Sequence, residues 1–163
     1  MAWTFTTLTQ AIKDYTENDE TTFSNNIALF ITTTEQLILR TIQLPDFRKN
    51  VTGTLTSGNQ YLTVPSDFLY PYSLAYDNSG YNFLIFKDVN FIRELYPVAS
   101  TTAAPKYYAQ FDESSFIVGP TPNSSYTVEL HYFYEPESIT VSSDGTSWLG
   151  TNADNALLYG ALM

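Results

Sequence analysis

The sequence predicts an α+β fold, in which a helical body carries an inserted antiparallel β-sandwich or barrel-like unit. Apolar residues repeat at helical spacing in the N-terminal quarter, the repeat changes to every second residue after Asn50, and a helical pattern returns near the C-terminus. We therefore expect an N-terminal helical part in residues 1–49, a β-rich unit in 50–147 and the start of a C-terminal helical part in 148–163.

Two helices are predicted in the N-terminal part. The first runs from about Leu8 to Tyr15, with Thr7 as the candidate N-cap. The second has Thr21 or Thr22 placed to cap it, and Pro45 ends it because proline disfavours helix in the residue before it. Its apolar positions are Phe23, Ile27, Phe30, Ile31, Leu37, Ile38 and Ile42.

The β-rich unit begins with the stretch VTGTLTSGNQYLTVPSDFLY, Val51 to Tyr70. It predicts a hairpin of two strands joined by a turn at residues 57–59, followed by a Pro-x-Asp-Phe corner. In the second strand Leu62 and Val64 alternate with Tyr61 and Thr63, so we expect the first two side chains on one face.

Further strands and one short helix follow. Tyr72 to Tyr76 and Tyr81 to Phe86 predict a second pair around residues 77–80, and Asp88 is placed to cap a helix that ends near Tyr96. Three more strands are expected before residue 136. In the last strand, one face carries Tyr126, Val128, Leu130, Tyr132 and Tyr134.

The composition limits the function classes. The chain has 17 acidic and seven basic residues and a net charge of -10, which disfavours a protein that holds nucleic acid through its phosphates. Without cysteine it forms neither disulfides nor thiolate metal sites. We find no secretion signal and no apolar run long enough for a membrane span. The 13 Tyr and 11 Phe residues indicate a β-rich body or an assembling subunit.

Candidates for catalysis are few. His131 is the only histidine and lies in a predicted strand, where a structural role is expected. The acidic run at residues 14–20 does not have the spacing of a calcium loop. A hydrolase function would depend on two acid pairs, Asp112-Glu113 and Glu135/Glu137, because a glycosidase needs two carboxylates. We predict no catalytic, cofactor-binding or metal residues, and no enzyme activity.

Several phrases, in this order, resemble the head-to-tail adaptor (connector) proteins of tailed bacteriophages. They are LPDFRKN, GTLTSGNQYLTVPSDFLYPYSLAY, FKDVNFIRELYP, APKYYAQFDESSFIVGPTPNSSYTVELHYFYEPESI and SWLGTNADNALLYGALM. Together with the N-terminal helices they cover the chain from about Leu8 to Met163. In relatives a further helical tail follows, and the pattern NALLYGALM is still helical where this sequence stops, so we expect the natural chain to continue.

The resemblance implies a structural virion protein, made in the host cytoplasm, that forms a ring of commonly twelve copies at the head-to-tail junction. Its implied partners are other copies of itself, the portal protein above and a tail component below, with double-stranded DNA passing non-specifically and no membrane contact. We expect Tyr126, Tyr132 and Tyr134 in the core or a subunit interface. The acids expected to face the channel or the solvent are Asp14, Glu17, Asp19 and Glu20.

Two other functions remain open at this stage. A β-rich tail-fibre or receptor-binding module would use exposed Tyr and Trp side chains to stack on sugars, although the long apolar helix is unusual for such a module. A hydrolase would use the acid pairs. The acidic composition does not separate these alternatives, because a negative surface also keeps any soluble subunit dispersed.

Overall fold

The computed structural model describes residues 2–163 and confirms the α+β fold. The chain divides into two compact units. The helical unit contains the chain up to Leu44 together with Glu135–Met163, and the β unit is Pro45–Tyr134. The β unit is therefore an insertion in the sequence of the helical unit.

The helical unit contains four α-helices. They are α1 (Phe5–Thr16), α2 (Thr21–Thr41), α4 (Trp148–Asn152) and α5 (Asp154–Leu162). Thr4, and not Thr7, is the N-cap of α1: the Thr4 hydroxyl accepts from the Thr7 backbone N–H, and the Thr7 hydroxyl accepts from the Thr4 N–H in return. The prediction for α2 was also wrong, since Glu20 occupies its N-cap position and makes no side-chain cap bond there.

The buried face of α2 differs in part from the predicted one. Ile27 and Ile31 are buried as expected, but Leu37 is 68% exposed and Leu39 is only 5% exposed. Glu35 is also buried. Apolar side chains occur on more than one side of this helix, so their spacing alone does not identify the side that packs against α5.

The segment 135–147 packs with the helices, although the sequence analysis assigned it to the β-rich unit. Ile139 is buried, and its backbone N–H donates to the Glu35 carboxylate at 3.1 Å. The Phe5 N–H donates to the Gly145 carbonyl at 2.8 Å. These bonds attach the segment 135–147 to the helical unit.

The β unit is built on a nearly closed, barrel-like sheet with the strand order β1-β9-β3-β4-β6-β7-β2. Neighbouring strands are antiparallel except β4 and β6, which are parallel and connected through α3 (Val89–Leu95). A separate two-stranded sheet pairs β5 with β8. The strands are β1 (Arg48–Leu55), β2 (Tyr61–Thr63), β3 (Phe68–Asp77), β4 (Tyr81–Phe86), β5 (Thr102–Ala103), β6 (Tyr107–Gln110), β7 (Ser115–Gly119), β8 (Thr121–Pro122) and β9 (Tyr126–Tyr134).

The predicted hairpin of the first two strands does not form. β1 pairs with β9 along its whole length, from Arg48 opposite Phe133 to Leu55 opposite Tyr126, whereas β2 pairs with β7. The connecting turn has Gly58 at φ 76°, as a turn requires, but the Gly58 N–H donates to the Pro122 carbonyl at 2.8 Å. The turn is thus anchored to β8 and carries the chain away from β1.

Two other local predictions are confirmed. β3 and β4 form the expected antiparallel pair, and the Asp77 carboxylate in its turn accepts from the Gly80 N–H at 3.1 Å. Asp88 caps α3, because its carboxylate accepts from the Asn90 N–H at 2.8 Å. In both cases a short polar side chain satisfies a backbone N–H near its own position in the chain.

The core of the β unit lies inside the sheet. As predicted, Leu62 and Val64 face inward while Tyr61 and Thr63 are exposed. A smaller core, formed by Ile92 with Ala109 and Ile117, lies between α3 and strands β6 and β7. The largest fully buried side chains of the main core are Leu55, Leu74, Phe116, Val118 and Tyr132.

Gly160 provides a test of the packing between α5 and α2. A Cβ atom at this position would overlap the Thr34 methyl group. We expect Gly160→Ala to lower the free energy of unfolding by about 1–3 kcal/mol, the cost of overpacking. Both tryptophans, Trp3 and Trp148, belong to the helical unit, so urea unfolding followed by Trp fluorescence reports on this unit. Asn155→Ala, an exposed change in the same helix, is the control, and equal stability of the two variants would contradict the close packing.

Candidate functional site

The candidate catalytic residues have structural surroundings. His131 is half-buried on β9 and packs edge-on against the Tyr72 ring, with the centroids 5.8 Å apart. Asp112 accepts from the Ser114 backbone N–H at 2.8 Å, and this bond holds the pKa of Asp112 below its usual value. Glu113 and Glu137 are exposed, and Glu135 is half-buried. Residues 2–163 contain no group of three or more His, Asp or Glu side chains placed to hold a metal ion.

The Pro-x-Asp-Phe corner contains a polar network that joins three parts of the β unit. Asp67 accepts hydrogen bonds from the Tyr132 hydroxyl at 2.8 Å and from the Lys49 ammonium at 2.7 Å. Burial alone would raise the pKa of Asp67, but the hydrogen bonds from Lys49 and Tyr132 outweigh it, so the pKa is lowered. Burial and the bond to Asp67 raise the pKa of Tyr132. The corner is thereby bonded to both β1 and β9.

The three tyrosines singled out on β9 lie on its inward side. Tyr126 and Tyr132 are buried members of the core cluster, and Tyr134 is half-buried against it. The Tyr126 hydroxyl donates to the Asn123 side chain at 2.7 Å, and the Lys49 ammonium lies 5.3 Å from the centre of the Tyr134 ring. In the isolated subunit these side chains therefore belong to the core of the β unit.

The four acids singled out near the N-terminus surround the connection between α1 and α2. Asp14, Glu17, Asp19 and Glu20 are all exposed. Glu17 ends α1 in a left-handed conformation with φ 49°, and Asp19 lies 4.0 Å from the Lys13 ammonium. The connection therefore presents a concentrated negative surface, which the Lys13 ammonium offsets in part.

Glu35 is a polar residue of the helical unit that the sequence analysis missed. It is 3% exposed, and one carboxylate oxygen accepts from the Ile139 N–H at 3.1 Å and the Ser147 hydroxyl at 3.4 Å. It joins α2 to the segment 135–147, so its contacts are internal. No local pattern reveals it, because its partners are more than 100 positions away in the chain.

A stripe of apolar side chains lies on the outer face of the sheet along β4. Tyr81, Phe83 and Ile85 are 66%, 68% and 56% exposed, while Leu84 between them points into the core. We call these three residues the β4 stripe. Phe83 is paired with Ala75 on β3, whose side chain is only a methyl group. The Phe83 ring therefore extends further from the sheet than the side chain opposite it.

An apolar groove lies where the sheet fails to close, between β1 and β2. Gly53 on β1 contributes no side chain to it, and a Cβ atom at this position would be in van der Waals contact with Val128 and Leu62. Its cavity volume is about 300 Å³. We call it the seam groove. Thr52 and Thr63 are its polar lining residues, and the others are Val51, Gly53, Leu62, Val64, Pro65, Val128 and Leu130.

Exposed apolar surfaces of this kind are typical of proteins that assemble with other proteins, and a comparison with known families gives a match for this chain. The family model described as SU10 adaptor protein matches residues 3–163. The chain therefore belongs to the SU10 adaptor protein family, a family of head-to-tail adaptors of tailed bacteriophages, and is a structural protein of the virion. No curated protein matches the chain significantly. Within residues 2–163, no helix has the length and apolar character to span a membrane.

The Asp67 network predicts a pH-dependent contribution to stability. Because the pKa of Asp67 is lowered on folding, its stabilisation is complete above the unfolded value of about 3.9 and is lost as the pH falls through the folded pKa. We expect Asp67→Asn to lower the free energy of unfolding by about 1–3 kcal/mol at pH 7, with the difference from wild type shrinking in acid.

The β unit contains no tryptophan, so urea unfolding followed by Tyr fluorescence is the appropriate measurement for Asp67→Asn. Asp46→Asn, at an exposed position near the start of the unit, serves as the control and should give only a small difference in the free energy of unfolding at pH 7. A loss at Asp67 that stays constant from pH 7 down to pH values well below 3.9 would show that the carboxylate charge does not stabilise the fold.

Proposed function

We propose that the chain forms a closed ring, of twelve copies, that joins the portal to the tail at the head-to-tail junction. The observation that carries this proposal is the family match over residues 3–163, which includes both units. A closed ring built from one kind of subunit needs two different, complementary faces on each copy. The β4 stripe and the seam groove are two such different faces within one unit.

We further propose that the ring surrounds the DNA channel and that the acids around the α1–α2 connection face the DNA. A net charge of -10 makes the subunit repel a polyanion, so the duplex would slide past without being held. Asp14, Glu17, Asp19 and Glu20 are all exposed and therefore available to act in this way. The competing explanation is that these charges only keep the free subunit dispersed, and the position of the acids in the ring separates the two explanations.

The direct test is cryo-electron microscopy of intact virions, with the chain located by fitting its two units separately into the density. A ring between the portal and the tail, touching both, is the expected result. Density for the chain at a fibre tip or baseplate would refute the adaptor position. It would favour the receptor-binding alternative, for which the exposed rings of Tyr81 and Phe83 could serve as stacking surfaces.

The channel proposal predicts how charge reversal affects DNA passage. We expect virions in which Asp14, Glu17, Asp19 and Glu20 are all replaced by Lys to eject DNA more slowly, because each Lys that touches a phosphate attracts the duplex. The logarithm of the DNA-binding constant falls with the logarithm of the salt concentration, with a slope of about -0.9 for each phosphate contact. Added salt should therefore restore the ejection rate.

The matched control for charge reversal places the same number of lysines at Asp46, Glu94, Glu113 and Glu137, which are also exposed. Ejection is followed by the fluorescence of a DNA-binding dye after the virions are triggered. If both sets of substitutions slow ejection equally, the effect comes from net charge alone and the acids near the N-terminus do not line the channel.

A further inference from the structure

We propose that the β4 stripe of one copy packs into the seam groove of the next copy, with the Phe83 ring as the central contact. This inference rests on the proposed function, because it assumes that the chain assembles with itself. It goes further by assigning the two complementary faces to particular residues of the β unit. The partner is therefore a second copy of the same chain.

The β4 stripe has the properties of the inserted surface. Its three side chains occupy alternate positions of one strand, with the buried Leu84 between Phe83 and Ile85, so they share one face and form a continuous ridge. With about 150–250 Å² for each of the two aromatic side chains and more than half of all three residues exposed, the stripe presents roughly 350 Å² of mostly apolar surface. This is within the size range of the largest patches on soluble proteins, which are often functional.

The seam groove has the properties of the receiving surface. A Cβ atom at Gly53 would lie 3.5 Å from the Val128 Cγ2 and 3.9 Å from the Leu62 Cδ1, so the fold has room for a side chain that the sequence does not supply. Glycine inside a strand is unfavourable and often marks a close approach of another group. A cavity of about 150 Å³ holds a benzene molecule, and the seam groove has about 300 Å³, which is enough for the Phe83 ring.

The seam also contains an incompletely paired strand edge. Among the described residues β1 pairs only with β9, so the backbone groups on its other edge have no strand partner, and residues 49–54 are exposed. Native proteins usually cover or block such an edge because it invites unwanted pairing. Neither proline nor a bulge blocks it here. A neighbouring copy seated on the seam would cover this edge.

The positions of the two surfaces fit a head-to-tail ring. β4 is the fourth of seven strands, and the seam lies between the first and the seventh, so the stripe and the groove are on opposite walls of the barrel-like sheet. Opposite, unlike faces produce a heterologous contact, and a turn of roughly 30° per copy closes a ring of twelve. Each partner buries roughly 800 Å² in a stable interface, and the stripe supplies somewhat less than half of this area. This fraction is appropriate for the centre of an interface, where hot-spot residues cluster.

Disulfide trapping tests the contact directly, because the chain contains no cysteine. The variant carrying both Phe83→Cys and Val51→Cys is built into the phage, and purified virions are oxidised and run on non-reducing gels. We expect most of the chain to move from monomer into a ladder of dimers and higher multiples. The matched control combines Val51→Cys with Val141→Cys, whose parent side chain is 69% exposed in the segment 135–147, and should remain monomeric.

The outcomes separate this inference from the proposed function. A ladder from the 51/83 pair but not from the 51/141 pair supports the contact. A chain found as a ring at the head-to-tail junction without a 51/83 ladder overturns the contact and leaves the proposed function standing. A chain absent from the junction refutes the proposed function, and this inference with it.

Charge insertion provides a second measurement. Phe83→Glu should weaken self-association of the purified chain by about 30-fold or more, which is the effect of removing an interface hot spot. The thermal stability of the chain should not fall, because Phe83 is already exposed. Gly53→Leu should do the same by occupying the groove. Val141→Glu, at matched exposure, is the control. Sedimentation equilibrium measures the association, and unchanged association of both test variants would overturn the assignment.

Discussion

The pairing of β9 with strands on both of its sides is the constraint on which the β unit depends. β1 and β3 each form a long antiparallel ladder with it, and its inward side chains contribute to the core. Tyr132 adds a polar bond from the same strand to Asp67, which also binds Lys49 of β1. Strand β9, strand β1 and the corner before β3 are therefore held together by backbone bonds, apolar packing and one ion pair.

Features that depend on neighbours in the sequence could be predicted. The alternation along β9 correctly identifies its inward face, and the β3–β4 pair and the Asp88 cap follow from short polar signals. The order of helices and strands also follows from the change in hydrophobic period. In each case the residues that specify the structure lie within a few positions of the atoms they position, so local physical rules decide the outcome.

Features that depend on distant partners could not be predicted. β1 and β2 resemble a hairpin locally, but a longer ladder with β9 is available and the turn at Gly58 is bonded to Pro122 instead. Glu35 is buried because its partners lie in the segment 135–147. The seam groove is also non-local, since it arises from strands that are adjacent in the sequence but paired elsewhere. The β4 stripe could have been noticed as Tyr, Phe and Ile at alternate positions, but the pattern does not say which face is covered.

The register of β1 and β9 has a further consequence for the evolution of the chain. Arg48 lies directly opposite Phe133, so the β unit starts and finishes at neighbouring positions of one ladder. Domains whose ends lie close together are readily inserted into, or exchanged within, a host sequence. The β unit could therefore be replaced by a homologous unit from another phage as one genetic cassette. Such recombination would change its contact surfaces in a single step while leaving the flanking helical sequence intact.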